Sequence, residues 1–214
     1  MKGFSTATLG FMGVKMRSLL FVMIILLVGC SANTSNMVAS MYSVSETGES
    51  AFDGTKWIKV KSIWCDPITF DLYQDTNLSK SNKASLELNI GGTHSIQSGK
   101  SLHLNIDGKF TDLSTLEKLT DIETKPGYYS SGIHAGMSFY LPPHNVSSKR
   151  YLVDIDLLER MEKANNLIMR VDLARDYIDA VCTNEKSSGS EFPAASTSYG
   201  IRKFIENASQ FSKP

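Results

Sequence analysis

The pattern of apolar and polar residues predicts an α+β protein: an antiparallel β-sandwich-like core with one or two helices packed near the C-terminus. Three observations predict it. Four runs between Lys56 and Phe110 alternate with period two, Gly, Pro, Ser and Asn separate those runs, and the spacing turns helical in the last third of the chain.

The chain does not begin with any of these elements. Residues 18–28 read SLLFVMIILLV, eleven residues without a charge, behind Lys15 and Arg17 and ahead of the small Gly29. A basic stretch, an apolar stretch and a small residue in that order form a secretory leader. Eleven residues fall short of the roughly 20 that a membrane-spanning helix needs. Residues 1–29 are therefore read as a signal peptide outside the fold, and Met16-Arg17 opens so compact a version of it that Met16 is the expected functional start.

Leu27-Val28-Gly29-Cys30 closes this leader and resembles the lipobox of bacterial lipoproteins, in which an aliphatic residue, a small or β-branched residue and a Gly or Ala precede a Cys. The resemblance covers residues 16–31 only. It implies cleavage before Cys30, a diacylglycerol thioether on its sulfur and fatty acylation (palmitate in type) of the new amino terminus. A single acyl chain binds a membrane marginally, whereas several on one residue hold firmly. In the sorting rule that comes with the resemblance, Ser31 in place of an Asp implies the outer membrane, so the expected location is the cell envelope with the domain in the periplasm. Membrane contact is then through the lipid anchor.

From residue 30 to 54 the chain is rich in Ser, Asn, Thr and Glu without a sustained period, which reads as a flexible tether. Residues 55–214 are expected to form a single globular domain. It opens with KWIKVKSIWC, in which Ile58, Val60 and Trp64 are expected to face inward and Trp57 outward. Beyond Asp66-Pro67, Ile68, Phe70 and Leu72 alternate with Thr69, Asp71 and Tyr73. SLELNIGG and KSLHLNIDGKF repeat the pattern with Leu86, Leu88 and Ile90, then Leu102, Leu104 and Ile106. Such alternation gives antiparallel strands with one wet face.

Ser114 followed by Glu117 in STLEKL has capping-box spacing and predicts a short helix. A strand is expected over about 133–141, stopped by Pro142-Pro143. Leu157, Leu158, Met161 and Ala164 then fall at helical spacing, with Asp156 as the expected N-cap and Asn165-Asn166 as the stop. Residues 167–173 read as a strand with Met169 and Val171 inside. SYGIRKFIENASQF is an amphipathic helix with Ile201, Phe204, Ile205 and Ala208 on one face. So late a helix must dock on the sheets.

Composition excludes more chemistry than it suggests. Of the 22 basic residues, Lys2, Lys15 and Arg17 lie in the leader, which leaves 19 against 22 acidic ones, a formal charge of −3, with no basic stripe for nucleic acid. Beyond Cys30, Cys65 and Cys182 make an even pair in an oxidising compartment, and a disulfide between them is expected. His94, His103, His134 and His144 have no metal-ligand spacing, so neither a metal nor another cofactor is expected. The GKS at residues 99–101 leads into strand-like sequence rather than a helix, which excludes a phosphate loop. No GxSxG surrounds a serine.

The residues left for recognition are aromatic. Tyr128-Tyr129, in a Gly and Ser setting, must send at least one ring outward if extended, and Trp57 is a second candidate contact. The expected function is therefore a non-catalytic domain that binds an envelope protein or a cell-wall polymer. Two alternatives stand beside it. One is a hydrolase of peptidoglycan or polysaccharide using a pair drawn from Asp107, Asp112, Asp121 and Glu123, which requires two carboxyls about 5–9 Å apart across a cleft. The other is a structural component of an envelope assembly. Arg170 and Asp172 alternate outward with Met169 and Val171 and are read as a solvated strand face or a patch for a partner.

Overall fold

In the computed structural model the described residues are 43–115, 117–131, 138–184 and 196–209. Cys30, the expected leader and His134 lie outside them. The chain forms β1 (Val44–Glu49), β2 (Lys56–Cys65), β3 (Ile68–Asp75), α1 (Thr76–Lys80), β4 (Lys83–Gly91), β5 (Gly99–Ile106), β6 (Lys109–Thr115) and β7 (Asp121–Lys125). It continues as β8 (Tyr128–Ser131), β9 (Ser138–Leu141), β10 (His144–Asp154), α2 (Ile155–Lys163), β11 (Leu167–Asp172), β12 (Tyr177–Cys182) and α3 (Thr197–Ala208). Every named ladder is antiparallel. A six-stranded sheet runs in the order β1-β2-β3-β4-β10-β7, a four-stranded sheet in the order β12-β11-β5-β6, and β8 pairs with β9 alone.

The predicted alternation builds the core. Ile58, Val60, Phe70, Leu72, Leu86 and Leu88 of the large sheet and Leu102, Leu104, Met169 and Val171 of the small one are all fully buried. Burying each such side chain contributes about 1.5–3 kcal/mol. The α+β sandwich-like architecture follows from that shared core, with α2 and α3 packed on it through Leu158, Met161, Ile201 and Phe204.

Trp64 departs from its expected inward place. The ladder of β2 with β3 slips by one residue between Val60 and Ile63, and Ser62 sits there at φ 59° with its N–H donated to Asp71 Oδ1. One extra residue inverts the parity of everything after it. Ile63 and Cys65 are therefore buried and Trp64 is exposed.

Three local expectations also change. Val44–Glu49, within the expected tether of 30–54, is a strand paired with Lys56–Lys61, so ordered structure begins before residue 55. Ser114 and Thr115 end β6 rather than start a helix. The Glu117 carboxylate, which would have completed the capping box, instead accepts from the backbone N–H and Nε of Arg150. The N-cap of α2 is Asp154, not Asp156; Asp154 pairs with Lys83, and Asp156 accepts from Asn82 Nδ2.

The inner face of β10 carries polar residues where apolar ones are the rule. Ser147, Lys149 and Tyr151 are all buried there. Ser147 Oγ donates to Gly92 O and accepts from His94 N, Lys149 Nζ donates to Ile96 O, and the Tyr151 hydroxyl shares a hydrogen bond with Ser101 Oγ. Buried polar groups persist only when so partnered. Burial pushes the Tyr151 phenol up to about 12 and the Lys149 ammonium down. Together Ser147 and Lys149 fasten the connection between β4 and β5 onto β10.

Candidate functional site

The two tyrosines singled out by sequence stand on a ribbon that prolongs the edge of the large sheet. Lys125 lies opposite His144 at the end of the β7–β10 ladder, and three residues further along each strand Tyr128 lies opposite Leu141. The pairing thus resumes in the same register after a gap. Pro126-Gly127 on one strand and Pro142-Pro143 on the other fill that gap, and proline has no N–H to give a ladder. A side chain at position 127 would come within 2.9 Å of Leu141 O and Pro143 Cδ, so only glycine fits the crossing.

Beyond the gap the rings are bare. Tyr129 is 77% exposed, and Tyr128 and Tyr140 are each 53% exposed. Tyr129 and Tyr140 are direct cross-strand partners with ring centroids 5.1 Å apart at 48°, while Tyr128 falls on the opposite face beside Leu141. Both faces of the ribbon therefore offer aromatic surface. Rings with a polar tip, held on a backbone ladder, supply contact area at small entropic cost and are enriched where partners bind. Sequence alone missed Tyr140, because its place beside Tyr129 depends on the register in which β8 pairs with β9, which no local pattern shows.

Trp57 is less open than expected. It faces Gly48 across the β1–β2 ladder, and a Cβ at Gly48 would meet the indole Cζ2 at 2.5 Å and Cε2 at 2.7 Å. The ring therefore lies against β1, half-buried. It walls a groove of about 350 Å³ on the outer face of the large sheet with Tyr73, Lys59, Asp71, Glu87 and Arg150. Lys59 bridges Asp71 at 3.1 Å and Glu87 at 3.5 Å. Burial pulls its pKa down, but the two carboxylates outweigh burial and raise it.

The outer face of the small sheet carries a row of charges, Asp112, His103, Arg170 and Asp179, one from each strand in cross-strand register. Arg170 holds Asp179 through two N–H groups at 2.7 and 2.8 Å, and its guanidinium lies 4.1 Å from the centre of the Tyr177 ring. Asp172 turns to His103 instead. His103 Nδ1 is 2.8 Å from Asp112 and Nε2 is 3.0 Å from Asp172. An imidazole with a carboxylate on each nitrogen is best served by protons on both.

The hydrogen bond to Asp112 and then that to Asp172 accordingly raise the pKa of His103, and His103 lowers that of Asp112. For a raised histidine the stabilisation is complete below the ordinary value of about 6.5 and is lost as pH rises through the folded-state pKa. For a depressed carboxylate it is present above about 3.9 and is lost as pH falls through the folded value. The His103–Asp112 contact is thus at full strength between those limits. NMR titration of the His103 ring is expected to give a pKa above the ordinary value, and Asp172→Asn to bring it back down; a His103 that titrates identically in both proteins would contradict this assignment.

The carboxylates proposed for hydrolysis are divided between the two sheets. Asp107, at φ 50° in the turn between β5 and β6, accepts from the backbone N–H groups of Asn165 and Asn166 and so ties that turn to the end of α2. Asp112 is engaged with His103, and Asp121 and Glu123 stand two residues apart on β7 in the other sheet, where both line one groove and Glu123 is paired to Lys125. His94 and His144 each have a ring nitrogen near a backbone carbonyl, of Gly91 and Pro142. Among the described residues no group of three or more His, Cys, Asp and Glu is set to hold a metal, and no helix is long and apolar enough to cross a membrane. No protein-family model, curated protein or solved structure matches this chain.

Proposed function

We propose that this chain is an envelope lipoprotein, anchored through Cys30, whose domain binds a protein or a cell-wall polymer without catalysing a reaction on it. The observation that carries the reading is the ribbon of β8 and β9, where Tyr128, Tyr129 and Tyr140 stand exposed on a ladder continuous in register with the large sheet. Three exposed rings add nothing to a core. Their disposition on both faces of a two-stranded arm suits insertion against a partner surface. The leader and lipobox support the location, and Asp107, Asp112 and Glu123 are each engaged with other groups of the chain, which favours binding over the hydrolase alternative.

The test is recovery of the cross-linked, lipidated protein from its own membranes, beside a Cys30→Ser form and a Tyr128→Ala/Tyr129→Ala/Tyr140→Ala form. The anchored protein is expected to bring down a specific protein or wall polymer, the Cys30→Ser form to leave the membrane fraction, and the tyrosine variant to lose most of its yield while keeping its fold. A stoichiometric partner would make it a component of an assembly. Equal recovery by the tyrosine variant would refute the role of the arm.

A further inference from the structure

The outer face of the large sheet carries a second feature besides the arm. The groove walled by Trp57 shares Lys59, Asp71 and Glu87 with an adjoining groove of about 440 Å³ that continues past Asn89 and Ser148 to Asp121 on β7. From β2 to β7 the face crosses four interstrand steps, roughly 19 Å at the usual 4.7–4.9 Å spacing. Its floor mixes hydroxyl, amide, carboxylate and lysine groups, with Glu123, Lys125 and His144 at the β7 end, and its aromatic wall stands at the β1–β2 end.

Each lysine and arginine lining these grooves is already paired with a carboxylate, Lys125 with Glu123 included, and the carboxylates outnumber them because Asp71 and Glu87 share Lys59. Lys59 lies between Asp71 and Glu87, Glu46 pairs with Lys61 at 2.7 Å, and Arg150 pairs with Glu117 at 2.7 Å. A polyanion would have to displace carboxylates from these cations, so negative charge is no advantage in a ligand. A neutral ligand rich in hydroxyls needs no such exchange. Its hydroxyls donate to the carboxylate lone pairs that the ion pairs leave open; Glu87 is a third exposed and, among the described residues, its Oε1 takes no hydrogen bond. The indole, laid along β1 at Gly48, presents a flat apolar surface at one end, of the kind on which the C–H face of a sugar ring packs.

We infer that this face binds an uncharged oligosaccharide, laid across the strands from Trp57 towards β7. The inference rests on the binding reading above and names one ligand class for it. Its length exceeds one sugar ring, so affinity must grow with chain length. Trp57 and Trp64 are the two tryptophans of the chain, and Trp64 is exposed beyond the bulge, so Trp64→Phe leaves one reporter inside the groove.

The experiment titrates Trp64→Phe protein with hexamers of chitin, cellulose and maltose, their trimers, soluble fragments of purified cell wall, and heparin as a polyanion. A saturable change in Trp57 emission with at least one neutral hexamer or the wall fragments is expected, weakening by about tenfold or more for the matching trimer and for Glu87→Gln. Heparin is expected to have no effect. Emission unmoved by every neutral probe, or moved by heparin alone, would overturn the inference. If membrane capture through Tyr128, Tyr129 and Tyr140 persists in that case, the binding reading stands and only the glycan groove falls; loss of both removes both.

Discussion

Removing the Cys65–Cys182 bridge is expected to lower the free energy of unfolding by about 4–5 kcal/mol, the chain-entropy value for a loop of this length. The bond joins residues 117 apart in sequence, and both cysteines are buried. It ties the last residue of β2, in the large sheet, to the last residue of β12, in the small one. Beside it Asp66 and Val181 form an isolated bridge, with Val181 N donating to Asp66 O. The two sheets are therefore cross-linked where they otherwise exchange few hydrogen bonds. Since small domains are stable by only about 5–15 kcal/mol, losing this bond removes a large share. Urea unfolding of the oxidised protein against Cys65→Ala/Cys182→Ala measures it, and a difference under about 1 kcal/mol would contradict the account.

Phe204→Ala is expected to cost about 3–5 kcal/mol, as truncation of a buried aromatic generally does. Phe204 is fully buried in the face by which α3 meets β2 and α2. That contact is close: a side chain at Gly200 would come within 2.6 Å of Ser43 Oγ and 2.9 Å of Ile63 Cγ1, and Thr197 Oγ1 donates to Trp64 O. Ile205→Ala, on the partly buried margin of the same face, is expected to cost less. Because α3 and the disulfide both act on the end of β2, the Phe204 and cysteine changes are expected to be non-additive in a double-mutant cycle. Additive losses would mean that the two fasten independent regions.

The elements legible in the sequence were those whose own side chains face a core. Period two in Ile68–Leu72, Leu86–Ile90 and Leu102–Ile106 marks a buried face directly, as does helical spacing from Ile201 to Ala208. What stayed hidden depends on partners far along the chain. The inversion at Trp64 follows from one extra residue opposite Asp71, and no local pattern announces it. Glu117 has capping-box spacing but is drawn to Arg150, 33 residues later. β7, Asp121–Lys125, is short and exposed on both faces, so it has no alternation to read, and it exists because β10 pairs with it.

The candidate sites divide in the same way. Tyr128 and Tyr129 were visible as an aromatic pair among Gly and Ser, whereas Tyr140 required the hairpin register. Trp57 was visible, but Gly48, which lets its ring lie along β1, gained meaning only from the cross-strand pair. His103 was legible only as a histidine without metal-ligand spacing. The residues that do reach His103 come from β6 and β11, 9 and 69 positions away.

The most direct measurement is photo-cross-linking in cells from a benzophenone residue at Tyr129, beside the same probe at Phe52, which is fully exposed in the turn between β1 and β2. The account predicts a discrete adduct from position 129, none from position 52, and loss of the adduct when Cys30→Ser frees the protein from the membrane. Adducts of equal yield at both positions, or from position 52 alone, would contradict a binding site on the tyrosine arm.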